Sequence, residues 1–255
     1  MPGGRVNAGA FSERHMTQQV VIVGGGAVGS AIAYFTLCDP AFRGSVTVVE
    51  RDPAYTRASS ALSASSIRQQ FSTAINIQLG SFGIEFLRRS AELLAVDGVR
   101  PEVGLNEAGY LFLASESGKS VLEENHRLQR SLGADIVLLD PASLGERFPW
   151  LDTEGLALGS LGLSGEGWFD GYGLMQAFRR KARALGALYV TGEACGFDRS
   201  GSRVSAVRLA GGTRLERPSP SGALWSPSTA YRPSSRRRSS TTSSAWTFSS
   251  SSPPS

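Results

Sequence analysis

Residues 19–50 constrain this chain more than any other stretch. A short apolar run, Val20-Val21-Ile22-Val23, turns through Gly24-Gly25-Gly26-Ala27-Val28-Gly29 and enters a helix-forming segment from Ser30 to Leu37. A second apolar run, Val46-Thr47-Val48-Val49, ends on Glu50. Strand, glycine turn, helix, strand and acid, in that order, make up a dinucleotide-binding βαβ unit. Gly24 permits the tight turn, Gly26 lets the backbone approach a pyrophosphate, and Gly29 lets the helix pack near the sheet. The helix N-terminus then presents free N–H groups and a positive dipole end to phosphate. Glu50, 26 positions after Gly24, can accept hydrogen bonds from a ribose and would repel a 2′-phosphate. That disfavours NADP, and the neighbouring Arg51 softens the preference.

Composition removes several other classes of function. A length of 255 residues with 41% hydrophobic content supports one large or two modest globular domains. No apolar run is long enough to predict a membrane span. The two histidines, His15 and His126, argue against a histidine-rich zinc site or a Ser-His-Asp triad, so no metal is expected. His126 lies in a polar helical stretch and reads as a solvated surface residue. The two cysteines, Cys38 and Cys195, have no metal or redox spacing and suggest a reducing compartment. The sequence pI near 9.4 would invite a nucleic-acid reading. However, five arginines (217, 232, 236, 237 and 238) lie in an acid-free C-terminal stretch, and without them the net charge falls from +4 to −1. The remaining body is close to neutral, so no nucleic-acid partner is expected.

The rest of the chain divides by pattern. Residues 1–18 lack an apolar signal region and are expected to be a flexible N-terminus, with Met16 a candidate start directly before the first strand. A mitochondrial transit peptide has little support, given Glu13 and the lack of an amphipathic run. After Glu50 a second nicotinamide-type βαβ unit does not follow, which argues against an NAD-dependent dehydrogenase. Instead residues 51–71 are serine-rich, either a solvated loop or a loop passing close to a large cofactor. The spacing predicts a long helix over 74–96, broken by Pro101 and Gly104. A strand is predicted over 109–114, and an amphipathic helix over 117–132 with Val121, Leu122, Leu128 and Leu132 inward. Another strand is predicted over 136–139, then a short helix capped by Asp140 with Pro141 at its first position. Strand is expected within 156–168, and a helix over 172–185 closed by Gly186. Residues 188–190 and 204–209 read as strands of a small meander with a turn at Gly201. From Pro218 onward fifteen of the last 38 residues are serine, with no lysine or acid. Such a segment cannot bury a core. It is either a genuine Ser/Arg-rich tail or out-of-frame translation, and is expected to be disordered.

With these residues set out, the chain resembles the FAD-dependent oxidoreductases of the D-amino-acid oxidase, sarcosine oxidase and dimethylglycine dehydrogenase superfamily. It is most similar to the branch that includes a respiratory complex I assembly factor and its bacterial relatives. The resemblance is carried by V-V-I-V-G-G-G-A-V-G, V-V-E-R-D, A-L-S-A-S-S-I-R-Q-Q-F-S, N-I-Q-L, G-Y-L-F-L-A-S-E, R-F-P-W-L-D-T-E-G and E-G-W-F-D, from about Val20 to Phe197. It implies FAD as cofactor, with the pyrophosphate at Gly24, Gly26, Ala27, Val28 and Gly29, and the adenosine ribose at Glu50 and Arg51. Ser59 and Ser60 match the small-residue loop beside the pyrophosphate. Ser66, Ile67, Arg68 and Gln69 match the segment beside the flavin ring. Arg68 is the candidate to face the flavin and a substrate carboxylate, since guanidinium pairs with carboxylate in two-pronged fashion; a loop-bracing arginine is the alternative. The implied reaction is oxidation of an amine or (N-methyl) amino acid by hydride transfer to flavin N5. The alternative is a non-catalytic flavoprotein scaffold in respiratory-complex assembly. Partners would be a small-molecule substrate and a respiratory-complex or other electron acceptor, in a bacterial cytoplasm or a mitochondrial matrix.

The fold class implied is α/β: a Rossmann-like FAD-binding domain, with an incomplete inserted α+β substrate domain and a disordered serine-rich tail. The FAD-binding domain is expected at 19–98 plus 185–217, part of the substrate domain at 99–184, and the tail at 218–255. In the family an apolar strand and a glycine motif follow the 204–209 region; here Arg217-Pro218-Ser219-Pro220 intervenes. The expectation is therefore a truncated chain with a central sheet short of one strand, its parallel edge exposed.

Overall fold

The computed structural model describes residues 18–216 and 223–225. The expected flexible N-terminus and serine-rich tail lie outside the described residues except at Gln18 and 223–225. The chain opens with β1 (Gln18–Val23), α1 (Ala27–Cys38) and β2 (Gly44–Glu50). The serine-rich segment follows, holding α2 (Ser59–Leu62) and β3 (Ser66–Ile67), then α3 (Ala74–Arg88) and α4 (Ser90–Leu93). Next come β4 (Leu111–Ala114), α5 (Glu116–Ser131), β5 (Ile136–Leu139), α6 (Pro141–Arg147), β6 (Leu158–Gly162) and β7 (Gly167–Trp168). Then α7 (Gly171–Ala184) leads to β8 (Leu188–Thr191), β9 (Ala194–Ser200), β10 (Arg203–Leu209), β11 (Arg214–Glu216) and β12 (Ala223–Trp225).

A parallel sheet of order β12-β1-β2-β8 is built around the βαβ unit. The period-two alternation of β1 and β2 divides their side chains between two cores. Ile22, Val46 and Val48 pack under α1 and α7 with Ala33, Tyr34, Ala177 and Phe178. Val21 and Val49 face the opposite way, onto Val207 and Leu209 of the antiparallel sheet β11-β10-β9. Each Val, Ile, Leu or Phe among them, taken from water, contributes about 1.5–3 kcal/mol. The result is three layers, helices, parallel sheet and antiparallel sheet, with the β1–α1 turn at one end of the strands. The inserted part holds a separate antiparallel sheet, β4-β6-β5, and the two-stranded ribbon β3-β7.

Several expectations are corrected here. The segment 188–190 is not a meander strand: β8 pairs in parallel with β2, Val48 opposite Tyr189. The long helix α7 is the crossover that returns the chain in the same direction, as a parallel connection requires. The antiparallel sheet is built instead from β9, β10 and β11. The helix expected over 74–96 breaks at Arg89 (φ −103°, ψ 2°), where the buried Ser90 hydroxyl donates to the Leu87 carbonyl at 2.7 Å. Val121 is exposed, whereas Leu128 and Leu132 pack on Ile77 and Ile136. His126 is half-buried with Nε2 3.1 Å from the Ile136 carbonyl, not freely solvated. Finally, the central sheet does receive a strand after residue 217. β12 runs parallel to β1, with Val20 opposite Ala223 and Ile22 opposite Trp225. Composition averaged over the segment hid this apolar triplet among serines and prolines.

Asp140 caps α6 as expected, accepting from the Ser143 N–H at 2.8 Å. A stronger tie joins α3 to the inserted part. Glu107 accepts from Arg88 Nε at 2.8 Å, from Arg88 Nη2 at 2.6 Å, and from the Gly165 N–H at 2.7 Å. The Arg88 hydrogen bond is the main cause that holds the Glu107 carboxyl below its usual pKa. A depressed carboxyl stabilises the fold above its unfolded pKa and loses that contribution as pH falls through the folded one. Glu107→Gln is therefore expected to cost about 1–2 kcal/mol at neutral pH. Denaturant melts of both proteins should converge as pH drops below the ordinary glutamate range; a pH-independent difference would show that the charge is not the cause.

Candidate cofactor site

The turn between β1 and α1 has little room for alternatives. Gly24 adopts φ +97°, a left-handed conformation costly for other residues, and its N–H donates to the Val49 carbonyl at 2.8 Å. A Cβ on Gly29 would stand 1.8 Å from the Gly24 carbonyl oxygen, so only glycine allows α1 to start this close to the strand end. Gly26, the residue before the first turn of α1, differs. A Cβ there would meet nothing nearer than the Ser60 hydroxyl at 3.8 Å, across open space.

That space is a cleft of about 460 Å³. Of the site residues expected from the sequence, Gly24, Gly26, Ala27, Val28, Gly29, Glu50, Arg51, Ser59 and Ser60 all line it. Among the lining residues that sequence reasoning missed, Tyr55 and Arg57 come from the Asp52 turn, whose Oδ2 accepts from the Thr56 N–H at 2.8 Å. The signal for that turn, Asp-Pro after the second strand, was present. Gly192, Glu193 and Ala194 were also missed; only the parallel pairing of β8 beside β2 brings them there.

Glu50 anchors the cleft. Its Oε2 accepts from the Gly25 N–H at 2.7 Å and its Oε1 from the Asp52 N–H at 2.8 Å. Each carboxylate oxygen has more than one lone-pair direction, so capacity remains for ribose hydroxyls. Beneath the turn, Tyr55 is buried with φ +58° and its hydroxyl oxygen lies 3.0 Å from the Cβ position of Gly25. Burial, with the nearby Glu50 charge adding to it, pushes the Tyr55 hydroxyl pKa up, and Arg179 opposes the shift. The Arg179 guanidinium stacks over both Tyr55 and Tyr189. Ser30 donates to the Gly25 carbonyl at 2.7 Å and accepts from Tyr189 at 3.0 Å. At the rim Arg51 pairs with Glu193 at 3.6 Å, an exposed contact of small energetic weight.

Ser66, Ile67, Arg68 and Gln69 do not line this cleft. Ser66 and Arg68 are exposed, while Ile67 and Gln69 are turned inward. Ile67 packs with Ile84, Leu87 and Val103, and the Gln69 amide lies against Gly165. The two inward side chains, Ile67 and Gln69, are thus taken up by packing within the protein. Arg68 stacks over Phe71 at 4.8 Å and Phe112 at 5.7 Å. Among the described residues no cluster of metal-ligating side chains occurs, and no helix is long and apolar enough to cross a membrane.

Residues 19–223 match the family described as FAD dependent oxidoreductase (DAO). The chain belongs to this family. Its cofactor is FAD, and the cleft fits one: a glycine cradle with open space at Gly26, a helix N-terminus, and an acid with spare acceptor capacity. The chain is 50% identical over 181 residues to FAD-dependent oxidoreductase domain-containing protein 1 of Xenopus laevis, covering 70% of this chain and 36% of that protein. To its Bos taurus counterpart it is 44% identical over 209 residues, covering 80% and 43%. It thus spans about two fifths of the length of the curated relatives it matches. Among solved structures, L-proline dehydrogenase from P. horikoshii superposes with a TM-score of 0.66 at 24% identity, over 79% of this chain and 51% of that one. Glycine oxidase from Geobacillus kaustophilus gives 0.65 at 23%, over 82% and 56%. These two share the DAO-type fold.

Two substitutions separate packing from cofactor binding. Gly29→Ala should destabilise the protein by about 3 kcal/mol, because backbone must move. Gly26→Ala should cost about 1 kcal/mol or less in stability, yet weaken FAD binding at least about tenfold by filling the cradle. Denaturant melts of the FAD-free proteins, with FAD titrations followed by flavin fluorescence, check both. Equal losses of stability in the two variants would contradict the distinction.

Proposed function

We propose that this FAD-dependent oxidoreductase of the DAO family oxidises the C–N bond of a small amine or amino acid, including N-methylated ones. The observation that carries the reading is Arg68: an exposed guanidinium laid across Phe71 and Phe112, on the segment that follows the cofactor cleft in sequence. Aromatic faces hold the planar group while its N–H edge stays free to pair with a carboxylate. In this reading the first turn of α1 binds the pyrophosphate through its backbone N–H groups, and Glu50 takes the ribose. Ser59 and Ser60 close the far side. Arg68 orients the substrate by its carboxylate, so that the bond to be oxidised is presented in one direction. Bound FAD supplies the two-electron acceptor.

Residues 19–98 and 185–217 are assigned the cofactor-holding role, apart from Arg68, and 99–184 the substrate-facing one, apart from α7, which packs in the parallel-sheet core. The exposed free thiols of Cys38 and Cys195 favour a reducing setting, a bacterial cytoplasm or a mitochondrial matrix. A respiratory-chain component is the acceptor this reading favours.

The test is anaerobic. The chain is loaded with FAD, desalted, and mixed in turn with glycine, N-methylglycine and L-proline while the flavin absorbance is followed. FAD retention with bleaching by at least one amine is expected. Arg68→Ala should retain FAD and lose about tenfold or more in the bleaching rate at subsaturating amine. Retained FAD that no amine bleaches would overturn amine oxidation and favour a non-catalytic scaffold in respiratory-complex assembly.

A further inference from the structure

Glu166 is a carboxylate with no exposed surface at all. It sits at the entry to β7, away from the cofactor cleft. Its three hydrogen-bond donors are neutral N–H groups from one neighbouring segment. Oε1 accepts from the Gln69 N–H at 2.6 Å and the Gln70 N–H at 2.9 Å, and Oε2 from the Gln70 side-chain amide at 2.8 Å. The fold makes room for it, since a Cβ on Gly162 would stand 1.9 Å from Oε2. Burying an ionisable group is expensive unless its bonding is complete, and core packing alone would be served by an apolar residue. The network also closes on itself. The Gln70 amide donates to the Tyr110 carbonyl at 2.9 Å and accepts from the Ser160 hydroxyl at 2.7 Å.

The segment so anchored is the one that carries Arg68. On one side of Arg68, Ile67 pairs with Gly167 and Ser66 with Trp168. On the other, Gln69 and Gln70 are tied to Glu166. Behind it, α3 comes so close that a Cβ on Gly80 would stand 2.3 Å from the Arg68 carbonyl oxygen. The Arg68 backbone is therefore held from three directions, and the residue is nonetheless exposed. We infer that Glu166 is a positioning residue that acts through the 69–70 backbone to hold the Arg68 guanidinium on Phe71 and Phe112, in place for a substrate carboxylate. The carboxylate half of this inference rests on the function proposed above; the hold on Arg68 does not.

The test uses the full chain supplied with FAD and labels arginines with phenylglyoxal, reading each site by peptide mass spectrometry. The exposed Arg100 is the internal reference and the half-buried Arg179 on α7 reports general loosening. Glu166→Gln keeps the shape but sets an amide donor against the Gln70 amide donor. The rate at Arg68 relative to Arg100 should rise about fivefold or more, as expected when a buried bond is lost and the segment opens locally. The rate at Arg179 should stay as in the wild type. An unchanged Arg68 ratio overturns the inference, as does a rise shared equally by Arg179. Where Glu166→Gln gives no soluble protein, Gln70→Leu removes the Oε2 donor and leaves both backbone bonds. A rise of about twofold is then expected at Arg68 alone, and no rise overturns it. In parallel, acetate should slow labelling of Arg68 in the wild-type chain, and less so in the variant. If acetate gives no protection, the carboxylate contact of the proposed function fails, while the rate ratio still decides whether Glu166 holds Arg68.

Discussion

The cofactor cleft depends on one close approach, that of the Gly29 backbone to the Gly24 carbonyl. With α1 seated against the end of β1, its first turn, Ala27, Val28 and Gly29, lines the space that Gly26 leaves open. A side chain at position 29 would lift the helix. Its face bearing Ala33 and Tyr34 would then no longer meet Phe178 and Ala182 of α7 in the shared core. Because α7 is also the crossover into β8, the displacement would be passed to Gly192 and Glu193, on the cleft's other wall. A local demand of one turn is thus satisfied by a packing arrangement spanning the whole parallel sheet.

Two glutamates act in the same physical way at two places. Glu50 accepts from the N–H groups of Gly25 and Asp52, and so joins the glycine turn to the loop after β2. Glu166 accepts from Gln69 and Gln70 and joins the inserted part to the segment after β3. Hydrogen bonds to an ionised acceptor are shorter and stronger than neutral ones, which suits loops that have no ladder to fix them. The environments differ, and with them the uses. Glu50 lines the cleft and keeps acceptor capacity facing it, whereas Glu166 is enclosed and spends its bonding inward.

The βαβ unit was legible because its signals are local. Glycines at fixed spacing, period-two strands and a terminal acid lie within 32 consecutive residues, and nine of the expected site residues do line one cleft. Caps and breakers such as Asp140 with Pro141, and Gly186 at φ +104°, were readable for the same reason. What escaped was set by pairing across the chain. No property of Leu188-Tyr189-Val190 by itself says that it joins β2, and Ala223–Trp225 becomes a strand only because β1 has an open edge. Ile67 and Gln69 were assigned by position in a matched motif, but strand alternation and the Glu166 anchor turn their side chains inward. Glu166 itself stood in a quoted motif without a role, since burial of a charge is a tertiary fact.

The segment from Ser59 to Gln70 runs from the cofactor cleft to Arg68, and its geometry explains the small residues at Ser60 and Ser65. Ser60 faces Gly26 across the cleft while its hydroxyl contacts the Met175 sulfur at 3.3 Å. Ser65 takes φ +51°, and a Cβ on Gly171 would stand 2.1 Å from its hydroxyl oxygen. Larger side chains here would either enter the cleft or push against α7, whose position is already fixed by its core contact with α1. A small residue is therefore a steric requirement at Ser60 and Ser65, where the chain is threaded between the cleft and α7, whereas Ser59, Leu62, Ser63 and Ser66 are exposed. After Ser65 that requirement ends. The chain pairs with β7, residue volume rises through Ile67, Arg68, Gln69 and Gln70, and hydrogen bonding to Glu166 takes over from close packing in fixing the backbone.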